Sequence, residues 1–181
     1  MKTVMIGIAR MGSTRLPGKV LKPLGGYPVL EWVVAAGESA PGIDEVWIAT
    51  TTESRDDVIE AWCQENSVQC FRGSENDVLA RVYGAAKAAK ADVVVRVTCD
   101  CPFLDPNVIG EVVALRAATG AAYASNNDPP SWPDGLDCEA IDFRALEITH
   151  MLATRPTDRD TVTQYIVRNR TRFPAVSLNC P

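Results

Sequence analysis

The most distinctive residues of this sequence lie near its start, where basic side chains occur without acidic ones. Between residues 1 and 30 there is no Asp or Glu. The basic residues of that segment are Lys2, Arg10, Arg15, Lys19 and Lys22. The whole chain of 181 residues has a net charge of −5, so this segment is positive against an acidic background. Such a local excess of charge indicates a site for an anionic ligand and argues against general attraction to nucleic acid.

The basic residues belong to a glycine-containing loop that follows an apolar run. Residues 3–9 predict a strand, and residues 10–19 then read Arg-Met-Gly-Ser-Thr-Arg-Leu-Pro-Gly-Lys. Open α/β sheets present phosphate sites at the carboxyl ends of their strands. We expect backbone N–H groups to approach a polyphosphate there, with Arg15 and Lys19 neutralising its charge. A solvated basic loop is the alternative, but the strand-end position and the two glycines favour the phosphate site.

The loop does not match either of the common nucleotide-binding patterns. Five residues separate Gly12 from Gly18-Lys19, where the P-loop has four, and Val20 replaces the Ser or Thr that reaches magnesium. The dinucleotide pattern Gly-x-Gly-x-x-Gly is also absent from the chain. The sequence therefore predicts a phosphate loop of another kind.

Asp100 is the candidate metal ligand. It follows the apolar run at residues 93–97, so we expect it at the same sheet edge as the basic loop. Magnesium typically binds one or two carboxylates together with substrate phosphates. A helix cap or turn residue is the alternative role, although Asp105, before Pro106, already explains the next helix start.

Three further acidic residues occur close together at Asp134, Asp137 and Glu139. If residues 136–141 form a strand, Asp137 and Glu139 share one face. They would then hold a second metal ion or the hydroxyl groups of an acceptor, or else form the solvated side of an edge strand.

The elements that position these residues alternate between strands and helices. Apolar runs predict strands at 3–9, 45–50, 68–71, 92–98, 121–125 and 136–141. Helices are expected after Pro28, after capping boxes at Ser54 and Ser74, after Asp105, and at about 144–153 and 158–168. This order predicts a single α/β domain over residues 1–181, folded as a three-layer α/β/α sandwich with a mostly parallel sheet.

Composition narrows the functional classes. With one histidine, His150, and no Cys-x-x-Cys pair among six cysteines, a His-dependent hydrolase, a zinc site and a disulfide framework are all disfavoured. No apolar stretch is long enough for a membrane span or a signal peptide, so we expect a cytoplasmic protein that contacts neither membrane nor nucleic acid.

Several segments resemble the cytidylyltransferases, and most closely the spore coat polysaccharide biosynthesis protein F branch, which is related to the CMP-Kdo and CMP-sialic acid synthetases. They comprise residues 8–19, 72–81, 96–102, 133–139 and 158–163, in the family's order and over nearly the whole chain. The resemblance implies a Rossmann-like nucleotidyltransferase fold. It further implies CTP contacts from residues 9–13, Ala9, Arg10, Met11, Gly12 and Ser13, and from Arg15, Lys19, Gly73 and Ser74.

The resemblance also implies an activity. We expect transfer of CMP from CTP to an oxygen of a small sugar-acid-like or phosphonate acceptor, with release of pyrophosphate and with Mg²⁺ as cofactor. Arg15, Lys19 and Asp100 would be catalytic, Asp100 and Asp137 would bind metal, and Asp134 and Glu139 would contact the acceptor. Relatives are commonly dimers, so a homodimer is one alternative, and the sequence leaves the oligomeric state open.

Three departures from the family pattern qualify this prediction. Cys99 replaces a glycine beside Asp100 and is expected to crowd the metal site, and Asp160-Thr161 replaces a Glu-His pair that would contact the acceptor. The family continues with a strand and an Asp-rich turn that we expect this chain to lack. A nucleotide-binding module without turnover is therefore one alternative; a glycosyltransferase is another, although Asp100-Cys101-Pro102 lacks the second Asp of an Asp-x-Asp motif.

Overall fold

A seven-stranded sheet forms the centre of the molecule in the computed structural model, which describes residues 1–181. The strands are β1 Thr3–Ile8, β2 Pro23–Leu24, β3 Tyr27–Pro28, β4 Glu45–Thr51, β5 Gln69–Gly73, β6 Val93–Thr98, β7 Tyr123–Ser125, β8 Glu139–Asp142 and β9 Ala175–Ser177. The helices are α1 Val29–Ser39, α2 Asp57–Glu65, α3 Val78–Ala88, α4 Pro106–Thr119, α5 Phe143–Leu152, α6 Pro156–Thr161 and α7 Gln164–Arg168.

The order of the strands in the sheet is β5-β4-β1-β6-β8-β7-β9, and β2 and β3 form a separate hairpin. β5, β4, β1 and β6 are parallel neighbours, and β7 is parallel to β9. Only β8 runs against its neighbours β6 and β7. The predicted α/β sandwich with a mostly parallel sheet is confirmed.

Two apolar cores lie on opposite faces of this sheet. Successive side chains of a strand point to opposite faces, so Met5 joins the core beneath α1 and α4, whereas Val4 and Ile6 join the core beneath α3 and α5. Because helices cover both faces of the sheet, its central strands are buried on both sides, and this explains the continuous apolar runs of the sequence. Burial of each large aliphatic side chain contributes about 1.5–3 kcal/mol to the free energy of folding. This packing holds the strands in place, and the polar residues of the candidate site follow the ends of these strands.

Several predicted boundaries need correction. The strand expected at 136–141 begins only at Glu139, and β8 lies inside the sheet and not at its edge. The helix expected at 158–168 is two short helices, because Val162 between them has a φ of 68°. The predicted capping box at Ser54 is also wrong, since that residue opens a short 3₁₀ turn, Ser54–Asp56, ahead of α2.

The start of α4 agrees with the sequence, whereas the capping box predicted at Ser74 is three residues too early for α3. Asp105 caps α4 by accepting a hydrogen bond from the Asn107 N–H at 2.7 Å, with Pro106 in the first turn. At α3 the cap is Asp77, whose carboxylate accepts from the Ala80 N–H at 2.9 Å, while Ser74 accepts from the Asp77 N–H at 3.2 Å.

All six cysteines are free thiols, and Cys63, Cys99 and Cys138 are buried. None of the helices combines the length and apolar character needed to cross a membrane.

Candidate functional site

The basic loop follows β1 and folds back on itself. The N–H groups of Ser13 and Gly18 both donate to the carbonyl of Met11, at 2.9 and 3.0 Å. Gly18 has a φ of 68°, a left-handed conformation that glycine adopts without strain. This turn places Lys19 at the start of a short 3₁₀ turn, Lys19–Leu21, directly beside the sheet.

A buried carboxylate holds the start of the loop in place. Asp56 is 0% exposed and lies between β4 and α2. One of its oxygens accepts a hydrogen bond from the Met11 N–H at 2.7 Å, and the other accepts from the Thr51 hydroxyl. Asp56 therefore ties the loop after β1 to the end of the neighbouring strand.

Lys19 and Asp100 meet at the carboxyl ends of two adjacent parallel strands. Asp100 follows β6, which pairs with β1, and the Lys19 ammonium forms an ion pair with the Asp100 carboxylate. Burial would raise the pKa of Asp100, but hydrogen bonds from Lys19 and Thr98 outweigh it and hold that pKa below its ordinary value. Asp100 is therefore ionised at neutral pH, as a metal ligand must be.

A cleft of about 290 Å³ opens where these residues converge; we call it the central cleft. The residues that line it include Arg10, Ser13, Arg15, Lys19, Arg81, Arg96, Thr98, Asp100 and Asp160. The structure thus brings together the predicted basic side chains and Asp100. Cations greatly outnumber carboxylates on this wall, which suits a polyphosphate.

A second, larger cleft adjoins the central cleft on the side of Asp100. This acidic cleft has a volume of about 800 Å³, and Arg15, Lys19, Thr98 and Asp100 belong to both clefts. Its remaining walls include Phe103, Asp134 and Asp137. Asp134 and Asp137 therefore lie near Asp100, on the wall of the same cleft.

The expectation that Asp137 and Glu139 share one strand face is wrong. Asp137 precedes β8, and Glu139, the first residue of β8, is only 3% exposed. The Glu139 carboxylate accepts hydrogen bonds from Tyr123 at 2.7 Å, Thr163 at 2.8 Å and Arg96 at 2.8 Å. Because β8 is interior and antiparallel, its first residue is packed between neighbours and is not solvated.

Five predicted nucleotide contacts do not line the central cleft. Ala9 is buried in the core, and Met11 packs against it. Gly12 lies against the guanidinium of Arg55, whose atoms come within 3.1–3.2 Å of the position that a Cβ would take. Gly73 ends β5, and the carbonyl of Ser74 accepts a hydrogen bond from Arg81, so Ser74 reaches the cleft only through that side chain.

Three charged residues of the central cleft were not predicted as site residues, namely Arg81, Arg96 and Asp160. Arg81 is 1% exposed although it is charged, and burial, with Arg10 next, lowers its pKa. A sequence signal existed for Arg96, which is a charged residue inside an otherwise apolar strand and two positions before Thr98.

Cys99 does not crowd the metal site as expected. Its side chain is 0% exposed and points away from the clefts, into the core. A Cβ on Gly7 of β1 would lie 2.5 Å from the Cys99 sulfur, so the thiol fills space that Gly7 leaves open. A buried environment raises the pKa of this thiol, which keeps it neutral.

The carboxylates of the acidic cleft fit a magnesium ion. Burial, followed by the charges of Asp134 and Glu139, raises the pKa of Asp137, and a bound cation would relieve that repulsion. No group of three or more His, Cys, Asp or Glu side chains forms a ready-made metal cage. Such an open set suits Mg²⁺, which keeps waters and takes further oxygens from substrate phosphates.

Comparison with known proteins agrees with this geometry. The cytidylyltransferase family model matches residues 4–169. The spore coat polysaccharide biosynthesis protein SpsF of Bacillus subtilis strain 168 is 34% identical over 178 residues, which cover 96% of this chain and 73% of that protein. A 3-deoxy-manno-octulosonate cytidylyltransferase from Acidobacterium capsulatum is 32% identical, over 84% of this chain and 63% of its own length.

Solved structures give the same result. A cytidylyltransferase from Leptospira borgpetersenii superimposes with a TM-score of 0.94 at 31% identity, covering 99% of this chain and 76% of that one. The CMP:2-keto-3-deoxy-manno-octonic acid synthetase in complex with CTP has a TM-score of 0.78 and covers 99% of this chain and 90% of its own. At 18% identity, the second structure shows the shared fold alone.

Proposed function

The chain belongs to the cytidylyltransferase family, and from that premise we propose that it transfers CMP from CTP to an oxygen of a small sugar-acid-like or phosphonate acceptor, with release of pyrophosphate. The observation that carries this proposal is the meeting of Lys19 with Asp100 in a cleft lined by Arg10 and Arg15. Cationic and metal-binding groups are thereby gathered at one strand edge, which is what phosphoryl transfer requires.

The basic side chains bind and orient the triphosphate. Arg15 and Lys19 border both clefts, so they neutralise the charge that develops on the pyrophosphate leaving group. Asp56 keeps the loop in the conformation that presents them. Before substrates bind, the ion pair with Lys19 balances the charge of Asp100.

Asp100 and Asp137 would hold the magnesium ion, at the border of the acidic cleft. When bound, Mg²⁺ supplies positive charge to the phosphate oxygens and lowers the cost of breaking the phosphoanhydride bond. The protein's own contribution is positioning, because in-line attack by an acceptor oxygen needs no covalent enzyme intermediate.

The acceptor enters from the side of Arg96 and Asp160. These two residues also border a third cleft of about 540 Å³, which we call the side cleft. The predicted acceptor role of Glu139 takes a different form here, since its carboxylate is occupied by Arg96, Tyr123 and Thr163. We propose that Glu139 positions Arg96.

The proposal is tested by measuring pyrophosphate release from CTP and Mg²⁺ with a panel of sugar acids and phosphonates. Release should depend on the acceptor, and Lys19→Met should lower it by about 10²-fold or more, the size of effect seen when one charge-stabilising group is removed. Lys22→Met is the matched control, because Lys22 lies three residues further on and outside all three clefts.

Two results would decide against catalysis by this mechanism. Tight CTP binding without acceptor-dependent release would indicate a nucleotide-binding module. Equal activity of Lys19→Met and the wild-type protein would remove the basic loop from the mechanism.

A further inference from the structure

Arg96 is a charged residue inside a strand that is otherwise buried. Its neighbours Val95 and Val97 are 0% and 1% exposed, and they point to the face opposite to Arg96. Arg96 lines the central cleft together with Thr98, and it also lines the side cleft. Its guanidinium therefore stands at the junction of the two clefts.

The side chain of Arg96 is held by the neighbouring strand. Arg96 is opposite Glu139 in the antiparallel register of β6 and β8, and its Nη1 donates to Glu139 Oε2 at 2.8 Å. The other oxygen of Glu139 accepts from Tyr123 and Thr163. Glu139 is thus fixed by groups from three elements and cannot swing to follow Arg96.

Most of the hydrogen-bonding capacity of Arg96 remains unused. A guanidinium has five N–H donors in a planar fork, and Arg96 makes one hydrogen bond, through Nη1. Its Nε is buried and has no partner. Its Nη2 group makes no hydrogen bond either, and guanidinium donors form strong, charge-assisted hydrogen bonds to a carboxylate, phosphate or phosphonate.

The side cleft beyond Arg96 has walls suited to hydroxyl groups. Asn127, Thr161 and Gln164 can donate or accept hydrogen bonds, and Asp160 accepts them. Val167 is the only aliphatic residue among those that line it. Asp128 and Glu139 also line this cleft, but Asp128 forms an ion pair with Arg170, and Glu139 accepts hydrogen bonds from Arg96, Tyr123 and Thr163. An occupant with one anionic group beside Arg96 and several hydroxyls matches these walls.

We propose that Arg96, held by Glu139, is the residue that selects an anionic acceptor by donating from its free Nη2 group to the acceptor's carboxylate or phosphonate. Identification of this anion as the acceptor rests on the proposed function. The binding of an anion by Arg96 in the side cleft is inferred independently, from the hydrogen bonds and the cleft walls. The remaining hydroxyls of the acceptor lie against the polar residues of the side cleft.

A competing role for Arg96 is binding of CTP, because the residue also borders the central cleft. The two roles differ in which affinity a substitution removes. If Arg96 reads the acceptor, Arg96→Gln weakens binding of an acid and leaves CTP binding nearly unchanged. Arg15→Gln is the matched control and has the opposite effect, since Arg15 does not line the side cleft.

Calorimetric titrations of the full chain test this difference. The probes are gluconate and its neutral amide, 2-hydroxyethylphosphonate and its neutral diethyl ester, and CTP. We expect the wild-type protein to bind at least one acid about tenfold or more tightly than its neutral counterpart, which corresponds to about 1.4 kcal/mol. The two acids distinguish a carboxylate from a phosphonate.

Substitution of Arg96 should abolish that preference. Arg96→Gln leaves the buried Glu139 without its cation, so Arg96→Gln/Glu139→Gln is made as a neutral pair that keeps the cross-strand contact. Arg96→Lys keeps the charge but loses the fork and should retain only part of the preference. Thermal unfolding verifies that each variant is folded.

Either of two results would overturn the proposal. One is a wild-type protein that binds neither acid more tightly than its neutral counterpart; the other is loss of CTP affinity in Arg96→Gln as large as the loss of acid affinity. Failure of the proposed function is separate, because it appears as the absence of acceptor-dependent pyrophosphate release even where acids and CTP bind.

Discussion

Some residues of the candidate site are placed to bind a ligand directly. Others hold those binding residues in position. Arg15, Lys19 and Asp100 follow strand ends, so a rule about parallel sheets predicts their meeting from sequence. Asp56 and Glu139 were not predictable in their positioning roles. Apart from Thr51, their partners lie at least 16 residues away in the chain, and nothing local in the sequence indicates a buried carboxylate.

Asp56 gives the sharpest test at this scale. Asp56→Ala would leave the Met11 N–H without a partner at a partly buried position, which costs up to about 1–3 kcal/mol. We expect lower stability in urea denaturation and weaker CTP binding in calorimetry, because the loop loses its anchor.

Asp56→Asn is the matched control for that change. Its amide oxygen can still accept from the Met11 N–H, and its NH₂ group can donate to the Thr51 hydroxyl oxygen. We therefore expect a smaller effect on both measurements. If Asp56→Ala bound CTP as tightly as the wild-type protein, Asp56 would have no role in presenting the loop.

At the scale of elements, most strands and helices of the first half were predictable, and those of the second half were less so. Residues 46–49 and 93–95 are continuous apolar runs, which indicate strands buried on both faces. The region around Val162 was predicted as one helix because its apolar spacing is helical. Its positive φ divides the segment, placing Asp160 in the central cleft and Thr163 on Glu139.

Strain at Val162 is consistent with a functional bend. A β-branched residue with positive φ is unfavourable, and such conformations persist where surrounding contacts impose them. Here the side chain is 0% exposed, so burial in the core offsets the backbone cost. Neither contribution could be inferred from a local sequence pattern.

The contact between β1 and the residue after β6 gives a prediction about elements. Gly7→Ala would place a Cβ 2.5 Å from the Cys99 sulfur, and overpacking of this kind costs about 1–3 kcal/mol. Cys99→Gly would leave a void beside Gly7 and also destabilise the protein. In the double variant, the added methyl group fills the vacated space.

We therefore expect Gly7→Ala/Cys99→Gly to be more stable than the sum of the single changes by about 0.5–3 kcal/mol, the range of coupling between contacting residues. Urea denaturation of the four proteins measures this coupling. Strict additivity would show that Cys99 does not occupy the space over Gly7.

At the scale of the whole molecule, the site is a consequence of sheet topology. The parallel strands β1, β4 and β6 end at one edge, and the reversed strand β8 begins there, opposite Arg96. All three clefts open along this edge, where polar and charged residues outnumber apolar ones. The sequence indicated the edge and its charge, but the reversal of β8, and with it the burial of Glu139, depended on long-range pairing.

The central claim is that the basic loop binds the triphosphate of CTP while Asp100 binds the magnesium ion that contacts the same triphosphate. The most direct measurement is CTP affinity by calorimetry, with and without Mg²⁺, for the wild-type protein, Lys19→Met and Asp100→Asn. In the wild-type protein Mg²⁺ should tighten binding, and Lys19→Met should weaken it under both conditions by about tenfold or more. Asp100→Asn should lose the effect of Mg²⁺ while still binding CTP without the metal. If Asp100→Asn kept the full response to Mg²⁺, or if Lys19→Met bound CTP like the wild-type protein, the two residues would not share the ligand and the claim would be contradicted.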